Sequence, residues 1–306
     1  MRKLPGLFTI VAGVAVLASV NVASATPPSG GASEEEYGRA QQIESGKVVS
    51  TTGHDVESST YSLAAGGDTG WRTGPGTTAL IVTKGALKIE QAEGCASKDL
   101  KAGSALVLTP GKFRLQNAGQ EPVELLANFT GLPHGGGTPL DGAAESAPDC
   151  GGFAAAAVAN GLSTSKSFRG DPSAYYRQAH GGHVASSELP IEAGKDAFMG
   201  TFTLQPGFST GWFAHTPHVA ILTKGSWAFY EAKDGKCEKV EEYHAGEAWI
   251  HPVHRHLGVV EGNEPAEITL FGFNMKHGEP APALNSQPDH FDFFYAPPSE
   301  CPTQLR

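Results

Sequence analysis

One stretch of this chain is written twice. TGWRTGPGTTALIVTKG, Thr69 to Gly85, returns as TGWFAHTPHVAILTKG, Thr210 to Gly225, one residue shorter but with the same opening and closing triplets. The agreement continues downstream. AGSALVLTPGKFRLQNAGQEPVELL from Ala102 matches AGEAWIHPVHRHLGVVEGNEPAEITL from Ala245 through the Ala-Gly pair, Pro110 and Pro252, and the pairs Glu121-Pro122 and Glu264-Pro265. Such a chain must fold one unit two times over, so the architecture has to be one that about a hundred residues can form. The repeat places copy one at 45–151 and copy two at 180–306, with a linker over 152–179 and a flexible arm over 26–44.

Within each copy, short runs of Val, Ile, Leu, Thr and Phe alternate with Gly, Pro and Asn, the pattern of an all-β domain. HVAILTKGSWAFYEA reads as a strand, a turn at Lys224-Gly225 and a partner strand with Trp227, Phe229 and Glu231 on one face, Ala228 and Tyr230 on the other. GEAWIHP and LGVVEGNEPAEITLFGF supply further strands with a turn at Gly262-Asn263. Short antiparallel strands at this spacing point to a small double-sheet barrel. A helix is expected only in the linker, where FAAAAVANGL, Phe153 to Leu162, would be capped by Gly161.

Ahead of the repeat, Arg2 and Lys3, the apolar run Leu7 to Val20 and the small residues Ala23 to Ala25 read as a signal peptide over 1–25, implying export to a bacterial periplasm or beyond the cell. The run falls short of the about 20 residues a membrane helix needs, and no later segment is more apolar, so no membrane span is expected. A net charge of -10 without any cluster of Lys or Arg would repel a polyanion, which excludes nucleic acid as a partner. In an exported chain the four cysteines read as two disulfides. Cys95 and Cys237 hold equivalent places in the copies, as do Cys150 and Cys301, so Cys95 with Cys150 and Cys237 with Cys301 is the economical pairing. Nucleophile-elbow, phosphate-loop and paired-carboxylate patterns are missing, which leaves hydrolase and nucleotide-binding readings without support.

The G-x5-P element from Gly246 to Pro252, followed by a histidine and a Gly-Asn-Glu-Pro turn and preceded by Gly-Trp, a histidine, a strand and Lys-Gly, resembles the two motifs of the cupin superfamily. More narrowly, the chain is similar to exported bacterial cupins with a GWHxHPGP motif, a mid-domain cysteine and a closing P-x-x-C. The resemblance covers both copies and implies two tandem cupin jelly-roll barrels. It also implies a divalent transition metal, Zn, Fe, Mn, Cu or Ni, held by inward-facing histidines of the two motifs. Carried over by position, the first motif falls on Phe213 and His215, with His218 three residues on, and the second on His256. Alternation sets His254 on the face of His256. The motif's glutamate is missing near Leu222 and Thr223. Copy one has Arg72, Gly74 and Phe113 at the corresponding places and so no metal ligand.

The candidate metal set is therefore His215, His218, His254 and His256, in the second barrel alone. His244 and His251 read as surface or rim residues, His180 and His183 as a weaker metal pair, and His54, His134, His277 and His290 carry no signal. Trp71, Trp212 and Arg72 are candidate ligand-pocket residues, with packing at the barrel end the favoured role for the two tryptophans. Two functions follow. One is an exported protein that binds a metal and a small-molecule ligand. The other is a metal-dependent enzyme of dioxygenase or isomerase type, for which Tyr243, Glu247 and His254 are the nearest candidates for a general base. Whether the chain is an enzyme stays open, and so does homo-oligomerisation through barrel edge strands.

Overall fold

The computed structural model describes residues 29–150, 159–175, 186–233, 236–253 and 255–278. The signal peptide, His180, His183, His254, His290, Cys301 and most of the expected linker helix lie outside the described residues.

The chain is all-β and forms two tandem jelly-roll barrels, each a sandwich of two sheets. In copy one the first sheet has the order β8 (Ser104–Leu108), β5 (Thr78–Lys84), β10 (Val123–Pro133) and β3 (His54–Asp68). The second sheet is built from β4 (Arg72–Gly74), β9 (Gly111–Gln116), β6 (Ala86–Gln91) and β7 (Ala96–Lys101). Copy two repeats both orders. Its first sheet is β18 (Ala248–His251), β15 (His218–Lys224), β20 (Ala266–Met275) and β13 (Asp196–Leu204). Its second is β14 (Ser209–Ala214), β19 (Arg255–Val259), β16 (Ser226–Lys233) and β17 (Lys236–His244). The registers coincide too: Thr78 faces Leu108 as His218 faces His251, and Ile89 faces Leu115 as Phe229 faces Gly258.

The two copies are joined by exchanged strands, which corrects the expected arm and linker. From Ala32 the arm is β1 (Ala32–Gln42), antiparallel to β13 of copy two before it ends parallel to β8 of copy one. Reciprocally, the linker contains β11 (Asn160–Gly170), antiparallel to β3 of copy one, after which Asp171 bridges Glu247 of copy two. Gly161 is thus a strand residue and not a helix cap. The remaining equivalents, β2 (Gly46–Thr51) and β12 (Ser186–Ile191), pair with each other. Half-exposed strands on a sheet flank carry few apolar residues, so ASEEEYGRAQQ and NGLSTSKSFRG gave no strand signal.

This sharing explains why the central strands are apolar on both faces. In β5, Leu80 and Val82 point into the lumen of copy one, while Ala79 and Ile81 join the core shared with copy two. Leu125 and Ala127 against Leu126 on β10 divide in the same way. Each such Leu or Ile contributes about 1.5–3 kcal/mol by its burial, at the seam between the copies as within the barrels.

The repeated triplets are structural devices. Thr69 and Thr210 each accept the backbone N–H of the facing strand, from Leu115 at 2.9 Å and Gly258 at 2.8 Å. Gly85 and Gly225 turn with φ of 79° and 74°, and at Gly225 a Cβ would come within 2.6 Å of the Pro265 carbonyl oxygen, so only glycine fits. Cys95 pairs with Cys150 as expected, closing 55 residues, for which chain entropy allows about 4 kcal/mol. Cys237 is disulfide-bonded.

Candidate metal centre in the second barrel

Two strand pairs and one short connection bring the histidines together. β14 and β19 set His256 opposite Phe213, and β15 and β18 set His218 opposite His251. His215 sits in the shortened turn between β14 and β15. All four are buried, with His251 and His256 exposed by 1% or less.

Their ring nitrogens have distinct tasks. His215 donates from Nδ1 to the Thr216 carbonyl oxygen at 3.0 Å, which fixes the tautomer with Nε2 as the lone-pair nitrogen. His218 donates from Nδ1 to the same oxygen at 3.1 Å, and its Nε2 accepts the indole N–H of Trp249 at 3.1 Å. Both of its nitrogens are thereby engaged in hydrogen bonds. His251 donates from Nε2 to Glu241 Oε2 at 2.9 Å, which leaves Nδ1 as the lone-pair nitrogen. Glu241, on β17, also accepts the Tyr243 hydroxyl at 2.9 Å. Burial first, and the Glu241 carboxylate beside it, push the Tyr243 phenol well above its ordinary pKa, so it serves as a hydrogen-bond donor.

His215, His251 and His256 each offer one nitrogen, and these atoms lie within 4.8 Å of one another. A metal about 2.1 Å from each of two nitrogens holds them no more than about 4.2 Å apart, so ring rotation of under about an ångström closes the set. Three neutral imidazoles, one of them backed by a carboxylate, suit a borderline divalent ion, and the carboxylate orients its histidine and raises its basicity. The residues fit a transition metal.

Of the residues expected from sequence, His215 and His256 are in this set, His218 lines the space beside it, and His254 lies outside the described residues. His251 is not a rim residue: it is 1% exposed and central to the cluster. Alternation along GEAWIHP puts it on the face of Trp249, as Leu108 shares a face with Leu106 in copy one, and that signal could have found it. The same period from Tyr243 marks Glu241. His244 is exposed, as expected for a surface residue. His134 and His277 do have a role: each donates from Nδ1 to an equivalent aspartate, Asp55 at 2.8 Å and Asp196 at 2.7 Å. Trp212 packs on Leu257 and Val259, on the face of β14 away from the lumen, and Trp71 is fully buried. Arg72 shares the face of Phe113, with its Nε donating to the Thr69 carbonyl oxygen at 2.7 Å and Nη1 donating to that of Gly142.

A cavity of about 70 Å³ adjoins the centre, bounded by His215, His218, His256, Phe213, Trp227 and Phe229 among others. At about 10–15 Å³ per water position it holds a ligand of a few heavy atoms. Among the described residues no helix is long and apolar enough to cross a membrane.

No protein-family model matches this chain, and no curated protein does. Among solved structures, the chain resembles an oxalate decarboxylase of Bacillus subtilis studied for its Mn(II) centres, at 13% identity and a TM-score of 0.32, over 79% of this chain and 77% of that one. A structure of the same Bacillus subtilis enzyme at pH 4.6 gives 12% identity and a TM-score of 0.29, over 79% and 76%. Likeness at this level says nothing of the site.

Proposed function

We propose that this chain is an exported bicupin whose second barrel binds one divalent transition metal, Zn, Fe, Mn, Cu or Ni, together with a small ligand, while the first barrel is structural. The observation that carries the reading is the convergence of His215, His251 and His256 within 4.8 Å in a buried lumen. His251 joins His215 and His256 in the ligand set in place of His218, whose two ring nitrogens are both hydrogen-bonded, and Glu241 positions it. When bound, the metal would supply Lewis acidity toward whatever enters the adjoining cavity. The Cys95 to Cys150 disulfide supports an oxidising destination, in keeping with a signal peptide over 1–25 and a mature chain from about Thr26. Three protein ligands beside a cavity also favour a second reading, a metal-dependent enzyme of dioxygenase or isomerase type, since coordination positions stay open toward a substrate.

The test is elemental analysis of untagged protein alongside His215→Ala and His256→Ala. One metal per chain, lost in both variants, is expected. Metal far below stoichiometry and indifferent to both substitutions overturns the reading. N-terminal sequencing of protein recovered outside the cytoplasm checks export, and a start before Leu7 overturns cleavage.

A further inference from the structure

Resting on the reading of the second barrel as the ligand-binding one, we infer that its cavity takes an uncharged, apolar molecule of about two to four heavy atoms, held by van der Waals contact and by its exclusion from water. Two observations lead there. The first is what the wall presents. Phe202, Leu204, Phe213, Phe229, Ile268 and Leu270 bound most of the cavity, and the surface turned to it is almost wholly apolar. The polar atoms of the remaining lining residues are occupied or closed off. Thr210 donates its hydroxyl to the Gly211 carbonyl oxygen at 2.8 Å and accepts the Gly258 N–H at 2.8 Å. The Trp249 indole N–H and both nitrogens of His218 are hydrogen-bonded, and Nε1 of Trp227 is buried out of reach of the cavity. His215 and His256 direct nitrogens toward each other and toward His251. A water needs about two to four polar partners, and an ion gives up its hydration, so neither is compensated against such a wall. An apolar solute asks for no partner.

The second observation is the comparison with copy one. Two wall positions there carry polar side chains: Tyr61, whose hydroxyl meets that of Thr138 at 3.3 Å, and Arg72, bonded to the Thr69 and Gly142 carbonyl oxygens. Their equivalents in copy two are Phe202 and Phe213. Those two exchanges remove a hydroxyl and a guanidinium, the groups that would bond a polar or anionic solute.

Size narrows the class further. An apolar cavity of about 150 Å³ admits benzene. At about 70 Å³ this one is half as large and stops short of an aromatic ring. Phe213 and Leu270 are the two lining side chains that are only half-buried, so entry lies past them.

The experiment follows the methyl resonances of Leu204, Ile268 and Leu270 in the full chain as purified, under xenon pressure and in titrations with dimethyl sulfide, acetamide, formate and benzene. Saturable shifts of all three residues are expected with xenon and dimethyl sulfide, and none with the other three. Leu270→Phe, which fills the space from its entrance, should weaken dimethyl sulfide binding about 10-fold or more, the worth of burying one or two methylene-sized groups. The titrations of the parent protein do not depend on that variant folding. Methyl groups indifferent to xenon and dimethyl sulfide overturn the inference, and so do shifts as large with formate or acetamide, or undiminished binding in a folded Leu270→Phe. Elemental analysis of the same samples keeps the two readings apart. Stoichiometric metal with indifferent methyl groups overturns this inference alone, whereas apolar binding without metal upholds it and overturns the metal reading.

Discussion

The two barrels share their strand order and their registers, yet they have exchanged the polarity of the two faces of one sheet. In copy one, β9 turns Phe113 and Leu115 inward and Arg114 outward. In copy two, β19 turns His256 and Gly258 inward and Leu257 outward. The neighbours follow. Arg114 is bound bidentately by Asp68 and approached by Glu90 at 3.4 Å, all three side chains less than a tenth exposed. Of their equivalents Leu257, Ser209 and Tyr230, Leu257 and Tyr230 join Trp212 and Val259 in an apolar outer patch. Meanwhile Gly74, Thr78, Leu108 and Phe113 of the first lumen become His215, His218, His251 and His256 of the second. Copy one concentrates its ion-paired groups on the outer face, with Arg72 on the face of Phe113, whereas copy two gathers its histidines in the lumen. What the copies hold in common, the Thr-Gly-Trp and Lys-Gly turns and the Asp–His clamps at Asp55 and Asp196, serves the frame.

The comparison can be broken most decisively at the lumen. Replacing His256 by Phe and His251 by Leu, the residues copy one uses, should abolish stoichiometric metal binding, read by elemental analysis, while the thermal transition persists. Retention of metal would move the centre elsewhere. The next largest effect is expected in copy one. Arg114→Leu leaves the buried Asp68 carboxylate without its cation, while Glu90 keeps Lys88 at 2.7 Å, and should cost about 3–5 kcal/mol in denaturant unfolding, whereas Asp68→Ser, Glu90→Tyr and Arg114→Leu together should cost far less.

The pH dependence of the parent has a defined sign. Burial opposes ionisation of Asp68, but Arg114, Gln116 and the Gly70 amide outweigh it and hold its carboxyl below the ordinary range. Its stabilising contribution is therefore complete above the unfolded pKa and disappears as pH falls through the folded value. The cost of Arg114→Leu should accordingly shrink on acidification.

A smaller change separates orientation from ligation: Glu241→Gln should weaken metal affinity about 10- to 100-fold without abolishing it, by competition with a chelator. Loss as complete as in the histidine variants would make Glu241 a direct ligand. The smallest effect belongs to the exposed His134. Its bond to Asp55, and that carboxylate's charge, raise its pKa, so its contribution is full below the unfolded pKa and fades as pH rises through the folded one. His134→Asn should destabilise measurably more in mildly acidic than in alkaline buffer. An equal effect at both would sink that assignment.

Much of this was legible in the residues. The duplication delivered the all-β unit, the turns at Gly85 and Gly225, the pairing of Cys95 with Cys150 and two of the three histidines that cluster in the second lumen. His251 escaped because a histidine beside a proline reads as a rim residue until its register with Leu108 is imposed. Glu241 lies just ahead of the second motif, outside its pattern, and reaches His251 only when β17 and β18 are set side by side. The exchanged strands escaped for a different reason. ASEEEYGRAQQ pairs through its backbone, and backbone pairing leaves little trace in side-chain type.

Period-two alternation and repeated turn residues act over a few neighbours, so the order of residues alone settled the repeated strands within each copy, the doubling of the unit and which copy collects imidazoles. Which histidines share one lumen, which carboxylate backs His251, and which barrel each connecting strand joins depend on how separate strands are set against one another. Only the packed tertiary structure decides those, because sheet register and lumen geometry are properties of many strands closing together.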